Sequence, residues 1–466
     1  MLTMMNSQQF TELLAGRCVL RPGAKVLVAC SGGADSVALL LSFAAVQATY
    51  PLSLVCVHVE HGIRGAASLS DAEFVRELCE EEGIPFRLCP VNVPDLAKKA
   101  HIGLEAAARQ LRYEALRRVL REEAADVIAL AHHRRDQAET VLMHLMRGCD
   151  MDALSGMAWR ERDLIRPFLG TDPEELRTCV RQMGHDWRED ATNTDTAYTR
   201  NRIRLRLLPE MEKIYPGAET AICRLSEAAA RDRAYFADEI KGLHLRSLIF
   251  PFPYGLALPV RVLDRLRPAV LSRALVWLIA RAGLPAQDRF ALDRLVERVA
   301  EGRECALNLS GSGRARIWRG LLILVRPIQV REFGPIVSGN FENELGNFSV
   351  FPALPVEVGN GLNHQRFPSH LLEGAQFILP ENPLPFTPFG REKETNTAEF
   401  LKKVPLPQEI RTRIPVLISR DGQVLWLAGV RPDECVRSGN CPGRIVSFGD
   451  SLNISGILRV AREQME

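Results

Sequence analysis

No apolar run in the 466-residue chain is long enough to cross a bilayer, and MLTMMNSQQFTELLAGR at its start lacks a basic segment followed by an apolar block. Neither a membrane span nor a secretory leader is expected, and a cytoplasmic setting is. No CxxC pair occurs among the 11 cysteines, and their irregular spacing argues against a disulfide framework or a zinc site. They read as small, reduced core residues. The chain has no GxxxxGK[ST] loop, which excludes a lysine reaching for a γ-phosphate from such a loop. An excess of charge is missing too: the formal net charge is +2, so the whole-chain balance does not announce a nucleic-acid partner and local charge has to be examined. There is no internal repeat and no low-complexity tract.

What remains is the composition of a globular protein, 46% hydrophobic and 25% charged, with length for about three ordinary domains. Residues 25–147 alternate strand and helix patterns. VLVAC (26–30), SLVCVHV (53–59), PFRLCPV (85–91) and DVIALAHH (126–133) read as strands. Helices are expected to about Ala45, from a Ser70–Glu73 capping box to about Glu82, from Leu104 to about Glu123, and from Asp136-Gln-Ala-Glu139 to before Gly148. Such alternation predicts an α/β fold with a parallel sheet covered on both faces. Asp172-Pro-Glu-Glu starts a further helix. A helical connector is expected at 216–243, two helices at 267–302, and strands about a Ser-Gly turn at 305–325. Residues 331–385 read as linker with irregular strands, and short β-like runs fill 386–466. The chain is thus divided at 1–215, 216–243, 244–330, 331–385 and 386–466: an α/β domain, a connector, a mixed α+β domain, a linker and a small β-rich domain.

The first expected strand runs into SGGADS, residues 31–36. Ligands of parallel sheets bind at the carboxyl ends of strands. Glycines let backbone N–H groups approach closely, serines add donors, and a helix N-terminus adds positive potential, so Ser31, Gly32, Gly33, Ala34 and Ser36 can cradle phosphates. Asp35 within an anion cradle suggests a Mg²⁺ ligand, since a carboxylate beside phosphates needs an intervening cation. The same residues also make a tight strand-to-helix turn capped by Ser31 or Asp35.

SGGADS resembles the SGGxDS motif of the PP-loop ATP pyrophosphatases, and the chain is similar to the tRNA(Ile)-lysidine synthetase family within them. The stretches that carry the likeness are HVEHGIRG (58–65), ARQLRYEAL (108–116), AHHRRDQAETVLMHLMRG (131–148), IRPFL (165–169), DATNTDTAYTRNRIRLRLLP (190–209) and FTPFGREKETNTAEFLKKVPLPQEIRTRIPVLI (386–418). The resemblance implies a Rossmann-like catalytic domain and appended tRNA-binding domains at 244–330 and 386–466. It implies that ATP adenylates the C2 oxygen of the wobble cytidine in a CAU-anticodon tRNA(Ile), releasing diphosphate. L-lysine then attacks C2 and displaces AMP, and the tRNA changes identity from methionine to isoleucine. ATP as substrate, Mg²⁺, and a homodimer belong to the same implication.

Other residues are candidates for that chemistry. Arg64 follows the second strand and could touch phosphate or RNA, or stand as a solvated loop arginine. Arg109 and Arg112, three apart, share a helix face that is either a nucleotide contact or a charged outer side. His132, His133, Asp136 and Glu139 lie at or after the end of the fourth strand. Asp136 and Glu139 could cap a helix and could also bind the lysine ammonium or a metal. The family pattern has two acids before the glutamine, whereas this chain has Arg135-Asp136. Asp190, Asn193, Asp195, Tyr198, Arg200, Asn201 and Arg204 form a second dense group. The resemblance puts Arg200, Asn201 and Arg204 at the cleft, while the bland alternative pairs the arginines with Asp190 and Asp195. In the C-terminal half Arg314, Arg316, Arg319, Lys402, Lys403, Arg411, Arg413 and Arg420 could meet tRNA phosphates, and Trp318 and Trp426 read as core. The rivals are a PP-loop tRNA thiolase, disfavoured by the missing CxxC, and a tRNA-binding relative that has lost activity, favoured by Arg135 alone.

Overall fold

The computed structural model describes residues 7–62, 66–189, 199–336, 338–343, 346–352, 364–436, 443–448, 457 and 459. By internal contacts the chain forms two units, Met1–Tyr235 and Phe236–Glu466. No helix among the described residues is long and apolar enough to cross a membrane.

The first unit runs α1 (Ser7–Gly16), β1 (Lys25–Ala29), α2 (Ala34–Val46), β2 (Ser53–Glu60), α3 (Ala66–Glu81), β3 (Phe86–Pro90), α4 (Val93–Ala100) and α5 (Leu104–Glu122). It continues with β4 (Val127–Ala129), α6 (Arg134–Met146), β5 (Arg160–Glu161), β6 (Leu164–Ile165), α7 (Pro173–Gln182), α8 (Thr199–Arg202), a π-helical turn Ile203–Leu207, α9 (Leu208–Ile214) and α10 (Ala218–Gly242). The strands form one sheet in the order β3-β2-β1-β4-β6-β5, parallel except where β5 meets β6. Strand residues alternate between faces, and both faces are apolar. Val26 and Val28 join the core with Leu40 and Phe43 of α2, whereas Leu27 joins Leu116 and Val119 of α5 on the other side. The chain turns to β2 on one side of β1 and to β4 on the other. A crevice therefore opens between the carboxyl ends of β1 and β4, the place where such sheets bind ligands.

Three local signals were misleading. The fourth strand is Val127–Ala129 and does not reach 133, so His132 and His133 lie beyond the sheet. α3 starts at Ala66, which leaves Ser70 inside the helix instead of capping it. α6 starts at Arg134 with His133 as its cap, not at Asp136. The predicted connector is α10. α4, with Asn92 capping it through the Asp95 N–H at 3.1 Å, and α1 were not foreseen.

In the second unit, after α11 (Leu245–Leu248), come β7 (Phe250–Phe252), β8 (Gly255–Pro259), α12 (Pro268–Arg281), α13 (Arg289–Glu301), β9 (Cys305–Leu309), β10 (Gly313–Trp318) and β11 (Leu321–Val325). The strands form an antiparallel sheet, β7-β8-β11-β10-β9. Leu322 and Leu324 of β11 face the α12–α13 core, and Leu321, Ile323 and Val325 face a second core shared with the C-terminal residues. There follow β12 (Glu332–Pro335), β13 (Gly339–Asn343), β14 (Gly346–Pro352), β15 (His364–Pro368), β16 (Gln376–Ile378), β17 (Pro385–Phe386), β18 (Thr395–Asn396), α14 (Thr397–Lys402), α15 (Gln408–Arg411), β19 (Val416–Ile418), β20 (Val424–Leu427), β21 (Arg431–Pro432) and β22 (Gly443–Phe448). Segment 331–385 is more than a linker. Its β16 pairs with β19, and its β14 and β15 flank β22. Trp426 is fully buried in the second core.

Candidate active site

Residues 30–33 bridge β1 and α2. Gly32 has φ +89°, a left-handed conformation that L side chains rarely adopt. Gly33, the N-cap, has φ −73° and does not need glycine for its backbone. A Cβ there would meet Ser31 Oγ at 3.7 Å and Arg188 O at 4.0 Å, which is ordinary contact. Ser36 organises the turn from below. Its Oγ accepts the Ser31 N–H at 3.1 Å and donates to Gly33 O at 2.9 Å, and the Ser31 and Ser36 hydroxyls are 3.2 Å apart. The Ser31 side is exposed and Ser36 is buried, so the hydroxyl pair spans from solvent to core. Helix α2 supplies free N–H groups and a positive end to whatever lies above the turn.

Beside the turn lies a cavity of about 220 Å³ at the carboxyl ends of β1, β2 and β4. Ser31, Gly33, Asp35 and Ser36 line its turn side. Val57, Val59, Leu116 and Leu130 make an apolar wall, and His61, Arg112 and His132 bring polar groups. Arg112 Nε and His132 Nδ1 are buried there with no hydrogen-bond partner among the described residues. Burial lowers the pKa of the Arg112 guanidinium. Burial, aided by Arg112, Arg166 and Arg200, takes His132 down to about 3 against the pull of Asp136, so its ring is neutral. An apolar wall with a few polar groups, two of them carrying unused bonding capacity, suits a flat heteroaromatic ligand with polar edges.

His133 caps α6. Its Nδ1 accepts the Asp136 N–H at 3.3 Å, and Asp136 Oδ2 accepts the His133 N–H at 3.1 Å. With Nδ1 used as an acceptor, the ring proton sits on Nε2, 3.5 Å from Asp35 Oδ2 and 3.4 Å from Asp136 Oδ2. His133 thus ties the acid of the glycine turn to the acid of α6 across the crevice. Burial disfavours the charged ring, but Asp35 and Asp136 outweigh it and raise the pKa. The carboxylates favour the cation, and the cap favours the neutral ring.

Asp136 and Glu139 project together from the first two turns of α6. Arg200 donates from Nε to Glu139 Oε2 at 2.6 Å and from Nη2 to Asp136 Oδ1 at 2.9 Å. Arg204 donates from Nε to Glu139 Oε1 at 2.6 Å and from Nη2 to Asp136 Oδ1 at 3.1 Å. Glu139 is 0% exposed, and so deeply buried a carboxyl group is costly without such partners. Burial works to raise the Asp136 carboxyl, yet His133 and the arginines hold it at about 2. Burial likewise opposes the charge of Arg200 and Arg204, and the two acids raise both.

The turn before these acids faces the other way. Arg135 Nε lies 3.2 Å from Glu219 Oε2, and Arg134 shares Glu219 and pairs with Asp172. Arg135, at the position where the resemblance led to the expectation of an acid, therefore has its own carboxylate partner on α10.

The structure brings Ser31, Gly33, Asp35, Ser36, Arg112, His133, Asp136, Glu139, Arg200 and Arg204 to one crevice, whereas Gly32 and Ala34 of the same turn are buried and do not line the cavity. It does not bring Arg109 into the cavity lining: Arg109 is exposed, its guanidinium 5.2 Å from the Tyr113 ring. Asn201 is half-buried on α8. Arg64, Asp190, Asn193, Asp195 and Tyr198 lie outside the described residues. Sequence reasoning missed the apolar wall, because Val57, Val59, Leu116 and Leu130 look like any strand or helix core. It also passed over His61, whose only signal is its place just beyond a strand end. Among the described residues no group of three or more His, Cys, Asp or Glu side chains could hold a metal by itself. That is compatible with Mg²⁺, which keeps several waters and needs only one or two carboxylates plus phosphate oxygens. Asp35 at the turn keeps 38% of its side chain exposed. Cys30, the cysteine of the cavity lining, is 2% exposed.

Residues 2–211 match the family model described as the PP-loop domain. The tRNA(Ile)-lysidine synthase of Thermotoga sp. (strain RQ2) is 30% identical over 420 residues, 88% of this chain and 92% of that one. That of Geobacter sulfurreducens is 30% identical over 447 residues, 90% of this chain and 91% of that one. That of Thermus thermophilus is 38% identical over 310 residues, 66% of this chain and 58% of that one.

Proposed function

The chain belongs to the tRNA(Ile)-lysidine synthase family, PP-loop enzymes that use ATP to form lysidine in tRNA, and from that premise we propose how its site does so. ATP lies with its base against the apolar wall and its phosphates over the Ser31–Ser36 turn. The C2 oxygen of the wobble cytidine of a CAU-anticodon tRNA(Ile) attacks the α-phosphorus. An O–P bond forms, the α–β bridge breaks, and diphosphate leaves. The ε-amine of L-lysine then forms a C–N bond at C2, the C–O bond breaks, AMP departs, and the amine's surplus protons pass to solvent. The tRNA is thereby changed from methionine to isoleucine identity.

The chain's own groups do the electrostatic part. The α2 N-terminus, Ser31, Ser36 and Arg112 take up charge that develops on the phosphates. Asp35 would hold Mg²⁺, which when bound offsets phosphate charge. His133, its proton on Nε2, serves as a donor that fixes Asp35 and not as a base. Asp136 and Glu139 remain the acids for the lysine ammonium, which has to compete there with Arg200 and Arg204. The observation that carries this reading is the cavity at the β1–β4 switch point, floored by the glycine turn and holding Arg112 Nε without a hydrogen-bond partner among the described residues.

The test is AMP release from ATP with lysine and tRNA(Ile) omitted in turn. AMP should form only when both are present, and Asp35→Ala should lower its rate by about a hundredfold or more with thermal stability intact. AMP formation that needs a sulfur donor instead of lysine, or near-normal turnover by Asp35→Ala, would overturn it.

A further inference from the structure

The acids Asp136 and Glu139 are gripped from in front by arginines. What fixes the helix turn that carries them lies behind it, on α10. Glu219, Cys223 and Ser226 are spaced i, i+4, i+7, so they form one stripe of that helix. Glu219 meets Arg134 and Arg135, the two residues before Asp136. The Cys223 thiol donates to the Arg134 carbonyl at 3.4 Å. Ser226 Oγ accepts from Gln137 Nε2 at 2.7 Å and donates to Ser155 O at 3.3 Å. Gln137 Nε2 has more acceptors than protons, with Ser155 O at 3.2 Å and Met157 O at 3.0 Å also in reach, and Oε1 accepts the Met157 N–H at 2.8 Å. Gly156, with φ +58°, makes room, since a Cβ there would stand 2.8 Å from the Gln137 amide. Glu219 is set in its turn by Glu212, whose Oε1 accepts the Glu219 N–H at 2.7 Å.

Glu219 and Ser226 are 7% and 2% exposed, and Gln137 is 5% exposed. Buried polar groups are costly unless each is satisfied, and a satisfied network fixes one geometry where apolar packing would allow several. The polar contacts converge on residues 134–137, around Asp136, while the apolar side of α10, through Ile222, Cys223 and Ala229, joins the clusters that hold Ala138, Val141 and Leu142 further along. We propose that Glu219, Cys223 and Ser226 are positioning residues for the reaction: the α10 stripe sets where Asp136 and Glu139 stand. The inference rests on the reading that these acids belong to the lysidine-forming site.

The experiment uses the full chain with Glu219→Gln, Ser226→Ala and, as a packing control on the same helix, Ile222→Val. Lysidine formation is measured for kcat and for KM toward ATP, with thermal stability and amide hydrogen exchange of residues 133–145 alongside. A displacement near 1 Å at a reacting centre costs about a hundredfold, so partial release should lower kcat by roughly tenfold or more. We expect that loss in Glu219→Gln and Ser226→Ala, with KM for ATP within about twofold, because neither touches the cavity. Exchange at the first turn of α6 should quicken in both. Ile222→Val should lose comparable thermal stability and keep its kcat. A kcat unchanged in both polar variants, or a loss in Ile222→Val as large as theirs, overturns the inference. If wild type forms no lysidine, the site reading falls, and the exchange data alone decide whether the stripe holds the α6 turn.

Discussion

The two glycines of SGGADS look alike in sequence and are different in space. Gly32 is glycine for its backbone, and Gly33, which lines the cavity, is not. The sequence could say that the turn suits phosphate, because that is a property of adjacent residues. It could not say which glycine serves the fold. Gly33→Ala should therefore leave thermal stability nearly unchanged and raise KM for ATP by roughly tenfold, since the added methyl stands where phosphate would approach. Steady-state kinetics beside a melting curve check this. Gly32→Ala should instead lose stability of about 1 kcal/mol or more, the cost of a left-handed alanine.

At the scale of elements, the decisive pairings join α8 and the π-helical turn to α6 across 61 to 68 residues. Local pattern reading found the acids and the arginines but did not join the two groups, because nothing local encodes a contact so distant; the alternative partners it offered, Asp190 and Asp195, lie outside the described residues. The same holds for Arg135, which stood out as a missing acid and proves to have Glu219 as its partner. Arg135→Asp should thus be harmful: it sets a carboxylate against the buried Glu219, and the loss should be about 1–3 kcal/mol by urea unfolding. Arg135→Gln should cost less. Acid sensitivity follows from His132. Its folded pKa, about 3, lies below the ordinary 6.5. The unfolded chain therefore binds a proton that the folded one refuses, and this contribution to stability is full above pH 6.5 and falls away as pH drops toward 3. Asp136 acts in a lower window, its contribution lost only as pH falls from its ordinary 3.8 through about 2. His132→Gln should flatten the decline between pH 6.5 and 4, read as urea midpoints.

For the molecule as a whole, the parallel-sheet domain was legible from alternating periodicity, and the place of its carboxyl-end cavity from the sheet type. The second unit was less so. Its segment 331–385 is rich in glycine, proline and asparagine and reads as linker with irregular strands, but the partners those strands take from 416–448 are a choice made by long-range sheet pairing. The apolar wall was hidden for a related reason: a ligand cavity between strands and a helix is built from the same valines and leucines as a core. Membership in the lysidine synthase family adds what no cavity states, a tRNA substrate. The most direct test is incorporation of radiolabelled lysine into a tRNA(Ile) transcript with a CAU anticodon, the site mapped by nuclease digestion and mass spectrometry. Lysidine formation at this site requires ATP-dependent label in stoichiometric amount at the wobble cytidine and none in a tRNA(Met) control. Label elsewhere in the tRNA, or none with ATP and lysine in excess, would contradict it.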